Sequence, residues 1–183
     1  MSAEALKDKQ TGFEARFIEL AGHVNGAMPH FVADKVTEAL NTRRKAVNGA
    51  SVLIAGVTYK RDIDDIRESP ALDVMGVLRG RGAEVAYTDP YVPRLSARAW
   101  AGDRDLASVE ITRESLASFD CVVILTDHKA FDFAAIVDGA DLVVDSRNAV
   151  KRHAPHVFRI GAPAPTTTQT ADAEPQAALA QAG

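Results

Sequence analysis

The sequence predicts an α/β fold: a Rossmann-like, doubly wound parallel sheet preceded by a long helical arm and followed by a disordered tail. Three observations carry this expectation. Between Ala50 and Ile160, short Val/Ile/Leu-rich runs alternate with helical segments, and continuous apolar strands of that kind belong to parallel sheets covered on both faces. Before them, apolar residues recur at spacings of three and four from Phe17 to Leu40, as on one face of a helix. After them, residues 162–183 contain three prolines and no aromatic or β-branched aliphatic residue, too little apolar surface to offset the entropy of ordering.

The elements follow in order. Phe17, Leu20, Val24, Ala27 and Phe31 form a helical stripe, and Val32, Val36, Ala39 and Leu40 continue it on a rotated face. Pro29 lacks an N–H and disfavours helix at Met28, so the reading is two helices in series or one kinked helix. The stripe either packs against the rest of the chain or forms a dimerisation face. Ser51–Gly56 reads as a first strand and Pro70–Leu78 as a helix. Ala83–Tyr87 reads as a second strand, closed by Asp89-Pro90. Pro93 to Asp105, with the lone Trp100, reads as a variable surface connection, and Ser108–Ile111 as a short edge strand. Asp120–Leu125 and Asp141–Asp145 read as buried strands around a short helix at Phe131–Val137, and His156–Ile160 as a last strand. The expected units are therefore an arm over 1–48, a sheet domain over 49–161 and a tail over 162–183.

Composition excludes several classes. Of 183 residues, 46% are hydrophobic and 25% charged, as in soluble globular proteins. The formal net charge of -4 argues against nucleic acid, whose binders show a basic stripe. No apolar run approaches the roughly 20 residues that span a bilayer, and the polar start is not a signal peptide. A single cysteine, Cys121, excludes an internal disulfide and a multi-cysteine zinc site, and the reducing cytoplasm is the natural compartment. The five histidines lack metal-ligand spacing. Cys121 lies within an apolar strand and reads as an inert thiol. Asp127-His128 reads as a polar loop pair. No metal site and no catalytic set is expected.

In an open parallel sheet, ligands bind beyond the carboxyl ends of the strands. There the sequence places Lys60, Arg67 and Arg147, cations suited to an anion such as phosphate. The backbone N–H groups where a helix starts near Ser69 suit the same ligand. The competing reading is that the run from Lys60 to Arg67 merely neutralises itself on a solvated loop. The first turn has neither G-x-G-x-x-G nor a P-loop. Asp89 stands where a ribose-binding acid could stand, but Asp-Pro more often opens a turn.

The stretch Gly56-Val-Thr-Tyr-Lys60-Arg61-Asp62-Ile-Asp64-Asp65-Ile-Arg67-Glu68-Ser69-Pro70, then Asp89-Pro90-Tyr91, Thr126-Asp127-His128 and Asp145-Ser-Arg147-Asn148, resembles the UDP-glucose/GDP-mannose dehydrogenase family. Its flavour is closest to the UDP-N-acetyl-mannosamine or UDP-N-acetyl-glucosamine 6-dehydrogenase branch. The resemblance implies an NAD-dependent oxidoreductase of polysaccharide biosynthesis that oxidises the C6 hydroxyl of a nucleotide sugar to a carboxylate. It also implies three parts: an N-terminal NAD-binding domain, a central helical dimerisation domain and a C-terminal domain that binds the nucleotide of the substrate. This chain resembles the end of the central part joined to the C-terminal part. By the resemblance, Tyr59 and Lys60 lie near the uridine and phosphates, Arg147 associates with the substrate, and Arg67 reaches NAD across the domain cleft.

The family's Gly-Gly-x-Cys segment and its Gly-x-Gly-x-x-Gly domain have no counterpart among these residues, and Cys121 does not replace the nucleophile. The expectation is a truncated enzyme that recognises a UDP-sugar and is inactive alone. Alternatives are one half of a split enzyme, or a non-catalytic UDP-sugar-binding or interaction module. The expected partners are a UDP-sugar and, through the helical arm, a second copy or the missing N-terminal half.

Overall fold

The computed structural model describes residues 16–165. The tail expected over 162–183 therefore lies mostly outside the described residues, as does the side chain of Phe17. Helix α1 (Arg16–Thr42) leads into strand β1 (Ser51–Ala55). There follow α2 (Pro70–Gly80), β2 (Glu84–Thr88), β3 (Arg94–Leu95), β4 (Leu106–Ala107), α3 (Arg113–Ala117), β5 (Cys121–Ile124), α4 (Phe133–Gly139), β6 (Val143–Asp145) and β7 (Val157–Arg159). Five strands pair in parallel in the order β2-β1-β5-β6-β7. The fold is thus the Rossmann-like α/β sheet that the alternation predicts.

Strand periodicity sorts the core into two layers. Val52, Ile54, Cys121 and Val123 face one layer with Val36 and Leu40 of α1 and Val74, Met75 and Leu78 of α2. Leu53, Ala55, Val122 and Ile124 face the other with Leu116 of α3 and Ile136 and Val137 of α4. Burial on both faces explains why these strands are apolar at every position rather than at alternate ones.

Helix α1 is a single helix with Pro29 inside it, not two in series. Burial of Val32, Val36 and Leu40, at about 1.5–3 kcal/mol each, outweighs the roughly 3 kcal/mol that an interior proline costs. Its two faces fare differently. Val32, Ala33, Val36, Ala39 and Leu40 are buried, while Leu20 (58% exposed), Val24, Met28 and Phe31 (50%) remain open.

Two local readings are corrected. Residues 93–105 are not merely a surface connection. Leu95 and Trp100 are buried in the first layer, and β3 pairs antiparallel with β4. Residues 108–111 form no strand, although the Val109 N–H bonds to the Tyr87 carbonyl at 2.8 Å. Helix α3 has no counterpart among the sequence expectations. Only five residues long, it is fixed by a capping box between Thr112 and Ser115.

Strand order reverses between β1 and β5, the switch point where two connecting loops diverge and leave a crevice. Gly56 opens the first loop with φ +86°, and a Cβ there would stand 2.5 Å from Thr126 Cβ and 2.6 Å from the Thr126 carbonyl oxygen. Gly56→Ala therefore combines a left-handed backbone with an overlap against a neighbouring main chain. We expect urea denaturation to show a loss of about 2–5 kcal/mol. A loss below about 0.5 kcal/mol, the range of ordinary surface substitutions, would contradict the close crossing.

Candidate functional site

The crevice is a cleft of about 660 Å³. Its floor is Thr58, Tyr59 and Lys60 from the loop after β1, with Leu125 after β5 and Ser146 and Arg147 after β6. One wall is the start of α2, with Glu68, Ser69, Pro70 and Ala71, and the other is the middle of α1, with Asn25, Met28, Pro29 and Val32. Buried Ser69 caps α2 and Pro70 takes its first position, where the missing N–H costs nothing. The α2 start thus turns its positive end toward the cleft.

The β1 loop is pinned from beneath. Asp89, buried at the end of β2, accepts from the Val57 N–H (2.8 Å), the Tyr91 N–H (2.8 Å) and the Val92 N–H (3.2 Å), and lies 3.1 Å from His128 Nε2. Its carboxylate is fully engaged inside the protein, so it organises the turn. Thr126 Oγ1 donates to the Thr58 carbonyl at 2.8 Å. Asp62 accepts from the Lys129 N–H at 2.9 Å, the main cause that lowers its carboxyl below the usual range. Asp62 and Glu68 both adopt left-handed backbone, with φ of 61° and 56°, and such strain persists only where the surroundings enforce it. Asp145 organises the third loop. It accepts from the Arg147, Ala149 and Val150 N–H groups at 2.9–3.1 Å.

The charge run does largely neutralise itself. Arg61 pairs with Asp127, Lys129 lies 3.5 Å from Asp62, and Arg67 pairs with Asp65. Asp64 and Glu68 form no ion pair among the described residues, and on the positive side neither does Lys60. Its ammonium sits 5.6 Å from the centre of the Tyr59 ring, and Tyr59 itself is 53% exposed. Arg147 Nε is 3.5 Å from Asp127 Oδ1, an oxygen that is buried and makes no hydrogen bond. Asp127 thus faces two guanidiniums, which leaves one positive charge over. The cleft combines an unpaired ammonium, a loosely held guanidinium, a helix start and an exposed aromatic ring, with Glu68 as its acidic member. That set suits an anion joined to a flat ring.

Of the four residues singled out from sequence, Tyr59, Lys60 and Arg147 line this cleft, and Arg67 does not. Its side chain is 86% exposed, with Nε and Nη2 each 2.8 Å from an Asp65 oxygen. Cys121 is buried in β5, and that burial pushes its thiol up, the opposite of an activated nucleophile. Sequence reasoning missed the Asp89–His128–Thr58 cluster, because Asp89 and Thr58 lie 39 and 70 residues from His128 and meet it only through the sheet. No group of residues that could hold a metal ion occurs among the described residues, nor a helix long and apolar enough to cross a membrane.

The UDP-binding-domain model of the UDP-glucose/GDP-mannose dehydrogenase family matches residues 53–152, more than half of the chain. The chain belongs to this family. It is 34% identical over 117 residues to UDP-N-acetyl-D-mannosamine dehydrogenase of Methanococcus maripaludis (strain C7), covering 64% of this chain and 25% of that protein. It is 32% identical over 120 residues to NDP-N-acetyl-D-galactosaminuronic acid dehydrogenase of Ralstonia solanacearum, covering 64% and 26%. The solved UDP-D-ManNAc dehydrogenase of Pyrococcus horikoshii superposes with a TM-score of 0.66 at 26% identity, over 81% of this chain and 34% of that one. The chain spans about a quarter of the length of these curated relatives.

The Asp65–Arg67 pair generates a pH prediction. Bonds from the Arg67 guanidinium, then from its backbone N–H, hold the Asp65 carboxyl at about 2 rather than 3.8. A carboxyl lowered in the folded state stabilises above its unfolded value, and that contribution is lost as pH falls through the folded one. Carboxyl NMR should place the Asp65 midpoint near 2, and Arg67→Ala should return it toward about 3.9. A wild-type midpoint already near the ordinary value would contradict the pairing.

Proposed function

We propose that this chain binds the nucleotide diphosphate half of a UDP-sugar in the cleft between α1, α2 and the loops after β1, β5 and β6. It serves as the substrate-binding part of an NAD-dependent UDP-sugar 6-dehydrogenase. The observation that carries this reading is the unpaired Lys60 ammonium beside exposed Tyr59 and Arg147, at the switch point of a domain whose family model is a UDP-binding domain. In this reading Tyr59 lies against the uridine, Lys60 and the α2 start hold the diphosphate, and Arg147 leaves Asp127 to complete the anion site. Relatives at equal identity differ in the sugar named. That fits a domain that reads the shared nucleotide.

Oxidising a primary alcohol to a carboxylate removes four electrons, which needs a hydride acceptor and, in this family's chemistry, a thiol. NAD does not fit a site within the described residues. The β1 turn holds one glycine, Asp89 is consumed internally, and Arg67 projects outward paired with Asp65. The role left for Arg67 is at most a contact to NAD held on another domain. Cys121 is buried. In this reading the described residues do not complete the reaction by themselves, and the NAD domain and nucleophile come from another segment or another polypeptide. The open stripe Leu20–Val24–Phe31 favours this reading. It would dock that partner or a second copy, and Met28 places that docking face at the cleft's edge. The reducing cytoplasm suits an enzyme whose chemistry uses a free thiol.

Calorimetry of the chain with UDP tests the binding. We expect saturable binding that weakens by about 1.5–3 kcal/mol, tenfold or more, in Lys60→Ala. No heat at millimolar UDP, or unchanged affinity in that variant, would contradict the assignment. With UDP-N-acetyl-mannosamine and NAD together, we expect no NADH absorbance from this chain alone, and turnover would refute the need for a partner.

A further inference from the structure

Beneath the cleft lies a buried imidazole to which the binding site assigns no task. His128 has no exposed surface, and both ring nitrogens are engaged. Nδ1 is 2.9 Å from the Asp62 backbone nitrogen. A backbone N–H only donates, so Nδ1 accepts and carries no proton. Nε2 is 3.1 Å from Asp89 Oδ2 and 3.2 Å from Thr58 Oγ1. The Thr58 hydroxyl hydrogen is spent on the Lys60 carbonyl, 2.7 Å away, so toward the ring Thr58 also accepts. Asp89 accepts as a carboxylate. The ring is the neutral tautomer with its proton on Nε2, shared between carboxylate and hydroxyl.

One ring thus clamps both ends of a short segment, Thr58 to Asp62. Through Thr58 it reaches the Lys60 carbonyl, and through Nδ1 it fixes Asp62, whose φ of 61° is left-handed. The Asp62 carboxylate returns to the Lys129 N–H beside the ring at 2.9 Å. Tyr59 and Lys60 are exposed residues between the two anchors. Asp89 holds the ring from the far side and is itself fixed by the Val57, Tyr91 and Val92 N–H groups.

We propose that His128 is a positioning residue for the nucleotide diphosphate: its neutral Nε2–H imidazole sets the path of Thr58–Asp62 and so aims Tyr59 and Lys60 into the cleft. This rests on the reading of that cleft as the UDP site. A ring that only filled the core would act through its packing against Tyr91 and Phe131, whose centroids lie 5.0 and 5.5 Å away.

Two amide replacements separate these roles. The Gln side-chain nitrogen in His128→Gln reaches the Nε2 position and keeps the donor to Asp89 and Thr58; it loses the acceptor for the Asp62 N–H, but Asp62 stays held through its carboxylate by the Lys129 N–H. The shorter amide of His128→Asn keeps an acceptor for Asp62 and loses that donor. Both lose the ring, and both should melt at lower temperature than wild type. In calorimetry of the full chain at a temperature where both are folded, His128→Asn should bind UDP about tenfold or more weakly, and His128→Gln within about threefold of wild type. Equal affinities in both variants, whether wild-type-like or weakened together with stability, overturn the positioning role. A nitrogen-15 spectrum of the wild-type ring checks the tautomer without any variant. A proton on Nε2 alone supports the clamp, and a proton on Nδ1 overturns it. Absence of UDP binding by wild type overturns the nucleotide site and this role together. Wild-type binding matched by both variants overturns this role alone.

Discussion

The loops that leave β1 and β5 cross in contact, and they can do so because residue 56 has no side chain. At φ +86°, with the Thr126 main chain where a Cβ would stand, Gly56 lets the first loop run over the second instead of beside it. The rest of the site is built on that crossing. Thr126 bonds the Thr58 carbonyl, His128 two residues on reaches Thr58 and Asp62, and Asp89 closes the arrangement from β2. The reversal of strand order creates the crevice, and the crossing makes its floor rigid enough to present two particular side chains.

Charge on that floor is arranged by subtraction. The segment from Lys60 to Asp65 is crowded with both signs, and most charges find a partner nearby or on a neighbouring loop. Arg61 goes to Asp127, Asp62 to Lys129 and Asp65 to Arg67. What remains without a partner is Lys60 and a share of Arg147 among the cations, and Asp64 and Glu68 among the carboxylates. A cleft with one or two uncommitted cations can hold a diphosphate without becoming a general anion trap, because the surrounding carboxylates limit the reach of the field.

The fold is legible in the sequence because strands buried on both faces have no alternation to misread, as in Val122–Ile124 and Val143–Val144. Of the two readings of Pro29, two helices in series or one kinked helix, the chain keeps a single helix, since propensity is local and the burial of Val32, Val36 and Leu40 is not. Trp100 looks like a surface residue in the sequence because nothing near it along the chain shows the pocket it fills. Lys60 and Arg147 can be marked from their place after strands. The pairing that ties up Arg67 and the role of Asp89 as a turn organiser depend on distances the sequence does not contain. Asp127 and His128 are adjacent and polar, which suggests a loop pair. In the structure they part company, with Asp127 engaging the arginines and His128 buried in the clamp beneath the cleft.

Helix α1 joins these themes, since one face completes the core and the adjoining apolar stripe stays open beside the cleft. A UDP titration followed by two-dimensional ¹H–¹⁵N NMR is the sharpest test that this cleft, built on the loop crossing, is the nucleotide site. Saturable shifts should centre on Thr58–Lys60, Ser69–Ala71 and Ser146–Arg147, with smaller changes at His128. Shifts confined to residues outside this cleft, or none at millimolar UDP, would contradict it.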